Sequence, residues 1–169
     1  MAQASTSPEN LVARIQRLED IEAIKQLKAR YARACDPAHN VDFLMSLFTE
    51  DAVFDVGEKY GRHEGKTAIR KFLEGADAIM PWAFHCMLSP VIEIAVDGQT
   101  AKGSWYLFEL STMPHLKTGA PQSIWIAGVY EDEFVKRGGE WKIRRITLRM
   151  HIMSPYEDGW AKTPWRGET

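Results

Sequence analysis

The sequence predicts an α+β fold: a cone-shaped barrel with N-terminal helices packed in a bent, mostly antiparallel sheet. Two observations predict it. Apolar residues recur at three- and four-residue steps in the first third of the chain, and after Pro81 the period changes to two. Helices first and strands afterwards is an α+β order, whereas a parallel sheet would alternate them. A long bent sheet wrapped around a long helix encloses an interior, where small-molecule sites are often built.

Each element follows from local signals. Residues 1–10 are small and polar and read as a disordered leader. From there Leu11, Ile15, Leu18, Ile21, Ile24, Leu27 and Tyr31 form the stripe of an amphipathic helix. It must end near Cys35-Asp36-Pro37, because a residue before proline is pushed out of helical geometry. Asn40 is placed to cap a second helix over 41–48. A strand follows at 52–56, a loop at 57–65, and a third short helix at 66–73. Strands are then predicted at 84–89, 91–96, 100–110, 124–135 and 140–153. Asp97-Gly98 and Arg137-Gly138-Gly139 lie between pairs of strands, where tight hairpin turns are expected. The domain is taken as 11–156. The tail, 157–169, carries Trp160 and Trp165 and is expected to cover the cone mouth or contact a neighbouring subunit.

Composition narrows the function. At 169 residues the chain is one domain, with 45% hydrophobic and 26% charged residues, ordinary globular usage. The formal charge of −2, with no block of like charge, argues against nucleic acid or an anionic membrane as partner. No apolar stretch approaches the roughly 20 residues of a membrane span. Two cysteines without CxxC spacing offer neither a disulfide framework nor a zinc knuckle. With no secretory signal in view, the expected location is cytoplasmic. Neither a metal-ligand spacing nor a glycine-rich phosphate cradle is present, so no metal and no cofactor is expected.

Polar residues in apolar strands that wrap a cavity are the first candidates for chemistry. His85, in Phe84-His85-Cys86-Met87, and Asp36, before Pro37, each read alone as an ordinary core or turn residue. Together they are worth more. An aspartate on one imidazole nitrogen fixes the tautomer and raises the basicity of the other, giving a general base near neutral pH. Tyr31 lies five residues before Asp36 and would place a phenol beside the pair. Arg149, if the last strand is regular, shares a face with Trp141, Ile143, Arg145, Thr147 and His151; an inward guanidinium would stabilise a developing anion. Alone it reads equally as a surface charge. Trp105, Leu107 and Glu109 share one face of their strand, expected to look inward. Cys35 and Cys86 read as small buried hydrophobes rather than nucleophiles.

Two segments resemble a known family. The run from Asp20 to Tyr31, closing on Cys35-Asp36, and the hairpin through Gly128, Tyr130, Gly139, Trp141, Lys142, Arg149, Met150 and Pro155 resemble the SnoaL-like branch of the NTF2-like superfamily. The first is similar to bile acid dehydratases and the second to hexachlorocyclohexane dehydrochlorinases; scytalone dehydratases share the fold and chemistry. The resemblance, over 11–156, implies Asp36 and His85 as a shared Asp-His dyad. It further implies Tyr31 and Arg149 as catalytic positions, Glu109 in place of an active-site aspartate, and Phe54 in place of a pocket tryptophan. With Phe54, Trp105 and Glu109 as substrate-binding residues, the expected function is a cofactor-independent lyase. It would eliminate water, halide or an aldehyde from an apolar cyclic or aromatic small molecule, lignin-derived compounds included. The alternatives are a non-catalytic accessory subunit of a ring-hydroxylating oxygenase and a ketosteroid-isomerase-like isomerase. A homotrimer is implied by the same resemblance.

Overall fold

The computed structural model describes residues 7–36 and 40–167, apart from the side chain at position 77. In chain order the elements are α1 (Pro8–Cys35), α2 (Val41–Leu47), β1 (Phe48–Asp55), β2 (Arg62–Glu64), α3 (Gly65–Glu74), α4 (Ala76–Ile79), β3 (Trp82–Ile94), β4 (Thr100–Pro114), β5 (Pro121–Arg137) and β6 (Glu140–Pro155). One curled sheet runs in the order β2-β1-β6-β5-β4-β3; its β1–β6 pair is parallel and its other strand pairs are antiparallel. The α+β cone read from the sequence is therefore the architecture.

α1 starts earlier than expected. Ser7 caps it, its Oγ accepting from the Asn10 amide at 3.3 Å, and Pro8 occupies the first turn, where its missing N–H costs nothing. Residues 7–10 are thus cap and helix rather than leader, while 1–6 lie outside the described residues. The helix ends at Cys35, and Asp36 is fully extended at φ −72° and ψ 179°, as a residue preceding proline must be. Only the second half of the apolar stripe is covered: Ile24, Leu27 and Tyr31 are buried, but Leu11, Ile15 and Leu18 are exposed. Arg17 donates to the carbonyl of Ile94, the last residue of β3, so the turns before it run past the end of that strand. Farther along, Asp20 accepts from the Trp141 indole at 2.9 Å and from Lys136, tying α1 to β6 and β5.

Three further expectations are corrected. The loop at 57–65 contains β2, an edge strand paired with β1. The strands expected at 84–89 and 91–96 are one strand, β3, interrupted by a bulge at Ser89 (φ 50°) and Pro90. A fourth helix, α4, forms before Pro81. The two turns lie where expected: Gly98 has φ 64°, and Gly138 and Gly139 have φ 58° and 85°, the doubly left-handed geometry of a tight hairpin.

Two bulges in β6 decide which residues face the core. Glu133 pairs with Arg145 and Phe134 with Ile143, so Arg144 is an extra residue; Ala127 pairs with Ile152 and Gly128 with Met150, so His151 is another. Each extra residue reverses the alternation beyond it. At the second bulge the backbone of Arg149 and Met150 closes on Gly128, where any Cβ would collide with the Arg149 carbonyl. The tail packs on the rest: Trp165 pairs with Met153, the Arg166 side chain donates to the Pro114 carbonyl, and Trp160 meets Trp125 edge-on.

Candidate active site

A cavity of about 590 Å³ lies inside the cone. Tyr31 and Cys35 of α1, Phe54 of β1 and Phe72 of α3 line it, with Met80, His85 of β3, Glu109 of β4, Ile126 and Tyr130 of β5, and Leu148, Met150 and Met153 of β6. Tyr60, His63 and Lys71 are also in the wall. The lining is mainly apolar, and the polar groups Tyr31, Cys35, His85, Glu109 and Tyr130 converge within it.

His85 is held by three contacts to two carboxyl groups. Its Nδ1 lies 3.0 Å from Asp36 Oδ1, and the same oxygen accepts the His85 backbone N–H at 2.9 Å. The extended Asp36 at the end of α1 carries its carboxylate to the sheet this way. With Nδ1 donating to Asp36, the Nε2 position is the basic one. Nε2 in turn lies 3.3 Å from Oε2 of Glu109, whose Cα is directly opposite that of His85 across the β3–β4 ladder. The imidazole side chain is only 10% exposed.

The surroundings favour neutral acids. Burial pushes the Glu109 carboxyl up, partly opposed by His85 and reinforced by Asp36. Burial also holds the phenols of Tyr31 and Tyr130 well above the ordinary tyrosine range, so both are hydrogen-bond donors. The Cys35 thiol is pushed up to about 12 by burial. A thiol held so far up supplies almost no thiolate at neutral pH. Cys35 in the folded protein is therefore expected to resist iodoacetamide at pH 8 and to react once urea unfolds the chain; mass-mapped labelling measures both.

Beneath the cavity lies a feature the sequence reading missed. Lys28 is fully buried, with its Nζ 2.8 Å from Asp132 of β5, and both side chains are essentially inaccessible. The ammonium also sits 3.6 Å from the centroid of the Tyr130 ring and 4.6 Å from that of Tyr31. It supports both cavity tyrosines from below through cation–π contacts. On the helical wheel Lys28 falls between the buried Ile24 and Tyr31, and alternation in β5 puts Asp132 in phase with Ile126 and Tyr130. Those phases were the available signal.

Of the residues singled out from sequence, Asp36, His85 and Glu109 are brought into contact, and Tyr31 and Phe54 line the same cavity. Arg149 is not among them. Its side chain is 67% exposed and donates to Glu131 at 2.8 Å on the outer surface, because the Arg144 bulge reverses the phase assumed for a regular strand. Leu148 and Met150 take the inward positions instead. Trp105 points inward with Leu107 and Glu109, yet it packs against Phe134 in the core and does not line the cavity. No described residue of the tail lines it either. Among the described residues no three His, Cys, Asp or Glu side chains converge as a metal site. No described helix is long and apolar enough to cross a membrane.

Comparison with known proteins gives the family. Residues 16–147 match the family model of the SnoaL-like domain. The chain belongs to the SnoaL-like family. Solved structures share the SnoaL-like cone. One is a proposed aromatic ring hydroxylase from Novosphingobium aromaticivorans, 28% identical over 83% of this chain and 96% of that one, with a TM-score of 0.71. A proposed scytalone dehydratase from the same organism is 25% identical over 83% and 90%, with a TM-score of 0.70. The hexachlorocyclohexane dehydrochlorinase of Novosphingobium barchaimii, at 24% identity over 83% and 92% and a TM-score of 0.73, has the same fold. No curated protein matches the chain significantly.

Proposed function

We propose that this SnoaL-like protein is a cofactor-independent lyase acting on an apolar cyclic or aromatic small molecule. The contact of Asp36 with His85 Nδ1 at the wall of a 590 Å³ apolar cavity carries the reading. In this mechanism Nε2 of His85 removes a proton from a substrate carbon, and Asp36 stabilises the imidazolium that results. Tyr31, a neutral phenol, donates a hydrogen bond to the oxygen or ring atom on which charge develops. Phe54, Met150 and Met153 pack against the apolar body of the substrate. The leaving group is water, halide or an aldehyde fragment, and the dehydratase and dehydrochlorinase relatives support the first two. Mass spectrometry of reactions with hydroxylated and chlorinated cyclic compounds and with lignin-derived aryl alcohols tests this. A product lighter by water, hydrogen chloride or formaldehyde, absent with His85→Ala, is the expected result. A product of unchanged mass would instead identify an isomerase.

A second reading draws on the name of the ring-hydroxylase relative: an accessory subunit that uses the cone without catalysis. Such a subunit would copurify with an iron-containing oxygenase, whereas a lyase is complete alone. We also propose a homotrimer. Trp82, Phe84, Leu88, Tyr106 and Phe108 expose large apolar side chains on the outer surface of β3 and β4, a patch that suits burial by a second copy. Light scattering is expected to give the mass of three 19.2 kDa chains; a monomer mass would contradict it.

A further inference from the structure

Glu109 is a cavity group that touches the catalytic imidazole and that the proposed mechanism leaves unused. It is 4% exposed, its Oε2 lies 3.3 Å from His85 Nε2, and its Oε1 has no hydrogen-bond partner at the cavity wall. The contact sets a condition on protons. With Nδ1–H given to Asp36, an unprotonated Nε2 and an ionised Glu109 would set lone pair against lone pair. A stable 3.3 Å contact therefore needs one proton between Nε2 and Oε2. Burial and the nearby Asp36 carboxylate both favour keeping it on Glu109; Cys35, Tyr60 and Tyr130 are the titratable groups of the wall that sense its charge. No lysine or arginine ion pair neutralises Glu109 among the described residues.

We propose that Glu109 is a second proton-transfer residue, which gives its proton to an oxygen leaving group while His85 takes one from carbon, so that the site prefers hydroxyl-bearing substrates to halides. This rests on the lyase reading above. The balance is closed. The Glu109 O–H turns from Nε2 to the substrate hydroxyl. The C–H bond breaks as its proton moves to Nε2, the C=C bond forms, and the C–O bond breaks. The departing oxygen takes the Glu109 proton and leaves as water. The imidazolium then returns its proton to the Glu109 carboxylate across the 3.3 Å contact. Both residues finish as they began, and no proton is drawn from solvent. A halide departs as a stable anion and has no use for the Glu109 proton.

Two measurements test it. The first needs no substrate: ¹⁵N NMR of the His85 ring at pH 7, assigned with His85→Gln, in wild type and in Glu109→Leu. The expected result is that wild-type Nε2 is shifted strongly from the free imine position by the Glu109 proton, and that Glu109→Leu moves it there. Identical Nε2 signals in the two proteins would overturn the shared proton, whatever becomes of the lyase reading. The second compares Glu109→Gln, which keeps a side-chain donor but cannot release a proton, on a β-hydroxy and a β-chloro aryl ketone. The ratio of water loss to hydrogen chloride loss is expected to fall about a hundredfold or more, because only the first needs the Glu109 proton. Equal effects on both would overturn the leaving-group assignment. Should wild type eliminate from neither ketone, the oxygen preference fails, while the NMR result still decides the shared proton and the mass-loss reactions above decide the lyase reading.

Discussion

His85→Ala is expected to lower turnover by about a hundred- to ten-thousand-fold while leaving the fold intact, since a positioned general base contributes that much. Asp36→Asn should fall in the same range for a different reason. Asparagine can still meet Nδ1, but it carries no charge to stabilise the imidazolium, and an amide turned the wrong way would force the other tautomer. Asp36 also accepts the His85 backbone N–H, so Asp36→Ala would lose the strand attachment as well. Circular dichroism separates the two cases. Rates within a few-fold of wild type for both His85→Ala and Asp36→Asn would remove the dyad from the mechanism.

The largest expected effect on stability belongs to Lys28. Removing its ammonium by Lys28→Ala leaves Asp132 buried and uncompensated, at a cost of about 3–5 kcal/mol, roughly 10 °C in melting midpoint for a domain of this size. Burial already drives both partners toward their neutral forms: it lowers Lys28 and raises Asp132 to about 6. The pair is therefore held at a desolvation cost. The double variant Lys28→Met with Asp132→Leu should recover most of the loss in thermal denaturation, as apolar replacements of buried pairs commonly do. It should also lower turnover, because Tyr31 and Tyr130 lose the cation beneath their rings. A melting point unchanged in Lys28→Ala would show that the pair is not energetically coupled to folding.

Much of the cone and part of the site could be read from the chain. The change of period near Pro81, the Asp97-Gly98 and Gly138-Gly139 turns, and the proline that stops α1 are local signals, and local chemistry decides them. Asp36 alone read as a turn residue, and its place in the site came from the family resemblance; the extended backbone that Pro37 dictates is what carries its carboxylate to the sheet. What could not be read was register. Between Val91 and Ile94, β3 pairs with β4 so that, continued regularly, His85 would face Leu110 and Glu109 would face Cys86. The bulge at Ser89 and Pro90 shifts the pairing by one and sets His85 opposite Glu109. In β6, Arg144 and His151 do the same, and the first of them sends Arg149 to the surface. Such slips depend on long-range packing, and a one-residue change exchanges the two faces of a strand. The exposed start of α1 is a related case: the apolar stripe is continuous in sequence, but the sheet ends before it does.

The central claim is that the Asp36-supported imidazole of His85 meets the substrate inside the cavity. A crystal structure with a substrate analogue or inhibitor identified by the mass-loss reactions tests it most directly. The predicted result places the carbon that loses its proton about 3–3.5 Å from His85 Nε2, with Nδ1 still on Asp36 and the apolar body of the ligand against Phe54 and Met150. A ligand bound outside the cone, or one whose reacting carbon faces the opposite wall from His85, would contradict it.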